Sequence, residues 1–319
     1  MARTEADAGT AGPPGGGPDA GSARPRGGQD RSEHPDLAGL EAGLDALETR
    51  APVRASLGGV LLNKVLPPVV AVVLVVGAWQ IAAAADVKPD YMLPGPLDVW
   101  DSLADLWYEG TLFEVIWHSV SRGALGFAAS LAIGTPLGLL VARVRAVRAA
   151  IGPVLSGLQS LPSVAWVPAA IIWFGLNDST IYAVVLLGAV PSIANGLIAG
   201  VDQVPPLFLR AGRTLGATGL RGIRYVLLPA ALPGYLAGLK QGWAFSWRSL
   251  MAAELIASSP DLGIGLGQLL ENARTNSDMS GVLAAIWLIL IVGIGIELLV
   301  FAPLERRVLR SRGLLAGTS

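Results

Sequence analysis

The chain has 319 residues, is 52% hydrophobic and 15% charged, and carries a mean hydropathy of +0.56 with a formal net charge of −1. That composition belongs to a membrane protein and gives no electrostatic basis for binding nucleic acid. There is no Cys, which excludes disulfides and thiolate chemistry, and the two His, His34 and His118, lie in different regions. The three Lys, Lys64, Lys88 and Lys240, are followed by Val, Pro and Gln, so no Gly-Lys-Ser/Thr phosphate loop exists and any ATPase must be a partner.

Residues 1–35 are rich in Gly, Ala, Pro, Asp and Arg and nearly free of large apolar side chains, a composition expected to stay disordered. No apolar run precedes residue 55, so this head does not read as a signal peptide. Over 36–48, Leu37, Leu40, Leu44 and Leu47 recur at helical spacing with Glu41, Asp45 and Glu48 off the stripe, which predicts a short amphipathic helix. Residues 1–50 are therefore read as a head and 51–319 as a transmembrane domain.

A bilayer core of ~30 Å requires ~20 apolar residues in a helix. Uncharged stretches of that kind run from Val65 to Ala85, Gly123 to Ala142, Ala149 to Leu176 and Ser179 to Val201. A fifth span begins at Pro229 and holds Lys240, Arg248 and Glu254; a sixth runs from Gly281 to Phe301 with Glu297 near its end. The fold class is thus an all-α membrane protein with six spans. The third stretch is longer than a span needs, and a turn around Pro153 to Pro162 is expected to lead into it.

Loop charge sets the orientation. Arg143, Arg145 and Arg148 fill one loop. Arg210, Arg213, Arg221 and Arg224 fill the 202–228 segment against Asp202, and Arg306, Arg307, Arg310 and Arg312 fill the tail. Residues 86–117 instead carry Lys88 against a run of acids, and 175–180 and 258–280 are poor in basic residues. Positive loops stay cytoplasmic, which places both termini and the 202–228 hairpin inside. Within 86–117, Leu103, Leu106 and Trp107 suit one face of a short interfacial helix, and Trp100, Trp107 and Trp117 suit a water–lipid boundary.

The 202–228 segment opens on Val204-Pro205-Pro206, compatible with a helix start. A helix over 206–217 is expected, a break at Thr218-Gly219, and a second short helix capped by Thr218 and ending before Pro229. Small residues at Ala211, Gly212, Gly216 and Ala217 would let another backbone approach closely.

Charges inside a span are costly, so Lys240, Arg248 and Glu254 are candidates for the solute path or for internal pairing. Arg248 could meet an anion, and its neighbour Trp247 offers an apolar surface. Arg248 and Glu254, six residues apart, stand roughly 120° apart on one helix, which disfavours a simple pair between them. Lys240 lies nearer the cytoplasmic half. Gly134 and Gly138 form a small-xxx-small pair around Pro136.

The hairpin's spacing resembles the cytoplasmic loop of ABC importer permeases: Glu-Ala-Ala, three residues, Gly, nine residues, Ile, one residue, Leu-Pro. Arg210-Ala211-Gly212 fill the triplet, Gly216 the glycine, Val226 the isoleucine and Leu228-Pro229 the end. The family's Glu is Arg210 here, a reversal of charge. Further segments, in order, look like permeases importing aliphatic sulfonates, taurine or nitrate: Leu93-Pro94-Gly95-Pro96, Ser119-Val120-Ser121-Arg122, Gly134 to Gly138, Leu161-Pro162-Ser163, Trp173-Phe174-Gly175 and Ala252-Ala253-Glu254. The match spans roughly residues 60–312, and the stretch from Gly242-Trp243 to Trp247-Arg248-Ser249-Leu250 looks closest to the sulfonate branch.

This resemblance implies a type I ABC importer permease of a bacterial plasma membrane, non-enzymatic itself, with no cofactor in this chain and ATP and Mg held by the partner ATPase. It implies a second copy of the chain, two cytoplasmic ATPases and an extracytoplasmic solute-binding protein as partners. Arg210, Ala211, Gly212, Arg213, Gly216, Ala217, Leu228 and Pro229 are its coupling-loop residues. The expected cargo is a small anion, an aliphatic sulfonate first, with nitrate, taurine or a vitamin precursor as alternatives. An ion-coupled secondary carrier is the competing class; no internal repeat supports it.

Overall fold

The computed structural model describes residues 66–85, 88–89, 91–257 and 263–312. The head at 1–50 and its helix at 36–48 lie outside the described residues. Among the described residues every regular element is helical. In chain order these are α1 (Leu66–Ala84), α2 (Pro96–Tyr108), α3 (Thr111–Arg143) and α4 (Arg145–Ser160). A 3-10 turn, Ser163–Trp166, leads to α5 (Val167–Phe174) and α6 (Asp178–Asp202). Then follow α7 (Pro206–Thr214), α8 (Gly219–Ile256), α9 (Leu266–Thr275) and α10 (Met279–Arg310).

Four of these, α3, α6, α8 and α10, are long and apolar enough to cross a membrane. A fifth crossing arises if α4 and α5 count as one span bent by 99°. The first apolar stretch is the shorter helix at Val69–Ala84. The bend falls at Leu161-Pro162 and not at Pro153, which sits inside α4. Pro162 explains this: it pushes Leu161 out of the helical region, to φ −76° and ψ 134°.

The helix α6 is the centre of the packing. Ile181, Val184, Val185, Ala189, Ile193, Ala194 and Leu197 along it are fully buried. Against it, α3 presents a ridge of small residues every fourth position: Gly126, Ser130, Gly134 and Gly138, all buried. A Cβ on Gly138 would lie 2.8 Å from the Ala194 carbonyl oxygen, so the two backbones touch. On its other side α6 meets α8 through Gly200 and Gly234, where a Cβ on Gly234 would sit 2.8 Å from Gly200 Cα. Lipid supplies no hydrophobic drive between helices, so this van der Waals approach of backbones is what holds the bundle.

Two further features depart from expectation. The second hairpin helix does not stop before Pro229; α8 runs unbroken for 38 residues from Gly219 into the bundle. It widens to a π-turn at Ile223–Leu227, which accommodates the missing N–H of Pro229. The segment 258–280, read only as a basic-poor loop, contains the helix α9, whose Leu266 is fully buried.

Candidate coupling hairpin and solute path

The hairpin is two helical arms hinged on glycine. Its first arm, α7, is shorter than the expected 206–217 because the backbone turns at Leu215 and Gly216. Gly216 takes φ +81°, the Ala217 N–H donates to the Gly212 carbonyl at 2.8 Å, and the Gly216 N–H donates to the Arg213 carbonyl at 3.0 Å. This is a Schellman closure, and only a residue without a Cβ adopts that φ freely. Thr218 occupies the cap position of α8 with extended backbone, but its side chain makes no capping bond.

The arms close on one another at Gly212, where a Cβ would come 2.8 Å from Val226 Cγ2. Gly212 is buried, Ala217 half-buried, and Arg210, Ala211, Arg213 and Gly216 face outward. Val204 and Leu227, buried, and Leu209 and Ile223 beside them seat the hairpin on the bundle. At its base Arg148 of α4 forms a forked ion pair with Asp202 at the end of α6, with Nη1–Oδ1 at 2.8 Å. Leu228 is half-buried and Pro229 exposed.

The outer surface mixes exposed apolar side chains with guanidiniums. Leu215 is 87% exposed and Leu220 82%, beside exposed Leu207, Phe208 and Tyr225. Arg210, Arg213, Arg221 and Arg224 stand among them, all exposed. Exposed apolar residues and Arg thus alternate along the hairpin's sequence, a composition that is enriched at protein interfaces.

The four intramembrane candidates do not converge. Trp247 is buried and stacks on Trp243, with ring centroids 6.1 Å apart. These rings wall a groove of about 560 Å³ between α8 and α10 that also reaches Arg248, Ile289, Gly293 and Glu297. Arg248 is exposed; its Nε donates to the Ala244 carbonyl at 3.1 Å and its guanidinium lies 4.7 Å from the Phe245 ring centre. Lys240 ties α8 to α10, with its Nζ 2.8 Å from Glu297 and 3.0 Å from Glu305.

Glu254 is fully buried and turned away from that groove. Its carboxylate accepts from Ser119 Oγ at 2.7 Å, from the Gly267 N–H at 3.0 Å and from Arg122 Nη1 at 3.3 Å. Arg122 also reaches Asp178 through Nε at 3.0 Å. Sequence reading missed these partners: Ser119 and Arg122 entered it only as part of a resemblance. Nothing in the local pattern pairs residues so far apart in the chain.

The profile for binding-protein-dependent transport system inner membrane components matches residues 134–310, which takes in the hairpin, the groove and α9. The chain belongs to this family. Among curated relatives, the taurine transport system permease protein TauC of Escherichia coli is 31% identical over 69% of this chain and 80% of its own length. A Bacillus subtilis protein named for aliphatic sulfonates transport, SsuC, is 29% identical over 76% of this chain and 87% of its own length. The nitrate import permease protein NrtB of Synechocystis is 27% identical over 81% of this chain and 93% of its own length. A solved amino acid ABC transporter superposes with a TM-score of 0.53 at 16% identity, over 64% of this chain and 97% of that one. The fold is therefore that of a type I ABC importer permease, and the chain is a permease subunit of an ABC importer, an inner membrane component.

Proposed function

We propose that this permease subunit pairs with a second copy to form the pore, with six spans per copy and both termini in the cytoplasm. The 202–228 hairpin seats one cytoplasmic ATPase per copy. ATP and Mg belong to that ATPase, the chain itself holding no cofactor, and an extracytoplasmic solute-binding protein delivers the cargo. Closure of the ATPases moves the hairpins, and each hairpin moves a span directly, because α8 is one continuous helix from Gly219 to Ile256. Coupling of this kind needs contacts that differ between the two states, and a hairpin rigidly joined to a span supplies them.

The cargo is a small anion, an aliphatic sulfonate first. The observation that carries this is the groove between α8 and α10, which puts an exposed guanidinium, Arg248, beside the stacked indoles of Trp243 and Trp247. A charged head and a short apolar tail match that pairing. The test is uptake of a labelled alkanesulfonate in cells lacking the chain and in cells with it restored, with nitrate and taurine as competitors. Restored uptake that nitrate leaves untouched supports the sulfonate reading; uptake of nitrate in its place replaces it.

A further inference from the structure

The family pattern puts a carboxylate at the first position of the hairpin motif, and this chain puts Arg210 there. The reversal is not local. From Gln203 to Ala253 the chain has no Asp or Glu at all. Asp202, the nearest acid, is held by Arg148. Arg143, Arg210, Arg213, Arg221 and Arg224 are all exposed, and among the described residues none has an ion pair.

Two of these arginines, on different elements, line one cavity. It holds about 100 Å³ and lies where the end of α3 meets the hairpin, between Arg143 and Arg213, with Thr218, Gly219, Gly222 and Val226 completing its wall. The glycines keep the wall low, and Gly222 lies so close to Ala217 that a Cβ there would be 2.7 Å from its carbonyl oxygen. Water takes about 30 Å³ per molecule, so the space suits the tip of an acidic side chain with a water beside it. Both arginines are exposed at the edge of this space, and a carboxylate entering it can accept hydrogen bonds from the two guanidiniums.

We propose that this cavity is a carboxylate pocket: an Asp or Glu of the partner ATPase enters between Arg143 and Arg213. The docking charge is then inverted relative to the family motif, and the chain selects an ATPase whose groove is acidic. The proposal rests on the reading that the hairpin seats the ATPase. Because Arg143 ends α3 while Arg213 lies on α7, the inserted carboxylate joins a span to the hairpin and does more than hold the loop. An anionic lipid surface is the competing occupant. The hairpin that carries these arginines also exposes Leu207, Phe208, Leu215 and Leu220, apolar anchors that, together with Arg, favour a protein partner.

The test uses the full-length tagged chain, purified from its own membranes and reconstituted in lipid nanodiscs, with the ABC ATPase that copurifies with it as the probe. The variants are Arg143→Glu with Arg213→Glu, and Arg307→Glu as a control for surface charge alone. The expected result is that the double variant, with an unchanged size-exclusion profile, retains the ATPase about 30-fold less or worse, the loss typical of a cut interfacial charge pair. The control retains it fully, and rising salt strips it from the wild type. Crosslinking of the wild-type complex identifies the ATPase carboxylate nearest Arg213, and exchanging that carboxylate for Lys restores binding to the double variant only. If the wild type copurifies with no ATPase, the docking reading itself fails and the pocket with it. If both proteins retain the ATPase equally, docking stands and the carboxylate pocket is overturned. A loss seen in discs containing phosphatidylglycerol, and absent in phosphatidylcholine alone, assigns the arginines to lipid and also overturns it.

Discussion

Ser119 on α3 donates its hydroxyl to the Glu254 carboxylate on α8 at 2.7 Å, and both side chains are fully buried. The same hydroxyl accepts the Leu266 N–H at 2.7 Å, and Glu254 accepts the Gly267 N–H at 3.0 Å. The first turn of α9 begins at Gly265, which has no side chain to cap it. A carboxylate from α8 does that work, placed where the helix N-terminus favours negative charge. Arg122 balances the carboxylate and carries the connection on to Asp178 at the start of α6. Four elements thus meet at one buried anion.

Glu254→Ala is therefore expected to cost far more than a surface change. It leaves the Arg122 guanidinium beside a vacated site and two donors without an acceptor, a loss of about 3–5 kcal/mol for a broken buried ion pair. Glu254→Gln keeps an acceptor for Ser119 and Gly267 and should cost less. Thermal unfolding of the two variants in the same detergent checks the order. Equal midpoints for wild type and Glu254→Ala would show that the buried pair holds nothing.

Lys240 joins the middle of α8 to α10 at two points, Glu297 at 2.8 Å, where a π-turn over Glu297–Phe301 begins, and Glu305 at 3.0 Å, one turn beyond its end. All three side chains are partly exposed, so each pair contributes about 1 kcal/mol or less to stability. The larger effect of Lys240→Met should be on transport, since two carboxylates then face each other with no cation between them. Adding Glu305→Gln should recover part of the lost uptake. A double variant no better than Lys240→Met alone would remove the pairing from the mechanism.

The contact between α6 and α8 leaves no room for a side chain at Gly200, where a Cβ would lie 2.8 Å from the Ala231 carbonyl oxygen. Gly200→Val should force the helices apart and prevent assembly, while Gly295→Val, with open space around it, should be tolerated. The yield of monodisperse protein from membranes distinguishes the two. Good yield of Gly200→Val would mean that the bundle repacks around this contact.

Much of this was legible in the chain. Long apolar stretches located α3, α6 and α10 because lipid demands length and apolarity, and both are local properties. The hairpin was legible because Pro206 and Gly216 fix the start and end of its first arm. What the sequence concealed was tertiary. Pro229 reads as the start of a span, yet α8 passes through it, because a π-turn absorbs the missing donor. Glu254 reads as a path candidate beside Arg248 or as a carboxylate satisfying a neighbouring span, and no local pattern names its partners. Its orientation toward Ser119 and Arg122 is decided by the packing of α8 against α3, which no spacing along one helix records. The helix α9 escaped because its ten residues are short and polar and its cap comes from another element.

Arg248 carries the substrate reading, and it can be separated from stability. Its guanidinium makes one hydrogen bond to its own helix and lies over Phe245, so its removal unbalances no buried partner. Arg248→Gln should leave the folded protein and its ATPase binding intact while raising the KM for an anionic cargo about tenfold or more, the value of one lost charged hydrogen bond. Uptake kinetics with the delivered solute check this. An unchanged KM would place the anion path elsewhere.

Gly216 offers the cleanest separation of docking from folding. A Cβ there meets nothing within 4 Å and the position is exposed, so the cost of a first side-chain atom comes from φ +81°. Strain of that kind amounts to about 1–2 kcal/mol for most residues and less for Asn, which tolerates the left-handed region. Gly216→Asn should therefore insert, dock and transport nearly as the wild type does. Gly216→Trp should insert equally well, yet its indole stands on the outer surface between Leu215 and Leu220 and obstructs whatever covers them. Copurified ATPase and solute uptake should both fall in Gly216→Trp while membrane levels match Gly216→Asn. Normal uptake by Gly216→Trp would show that the tip of the hairpin is not the docking surface.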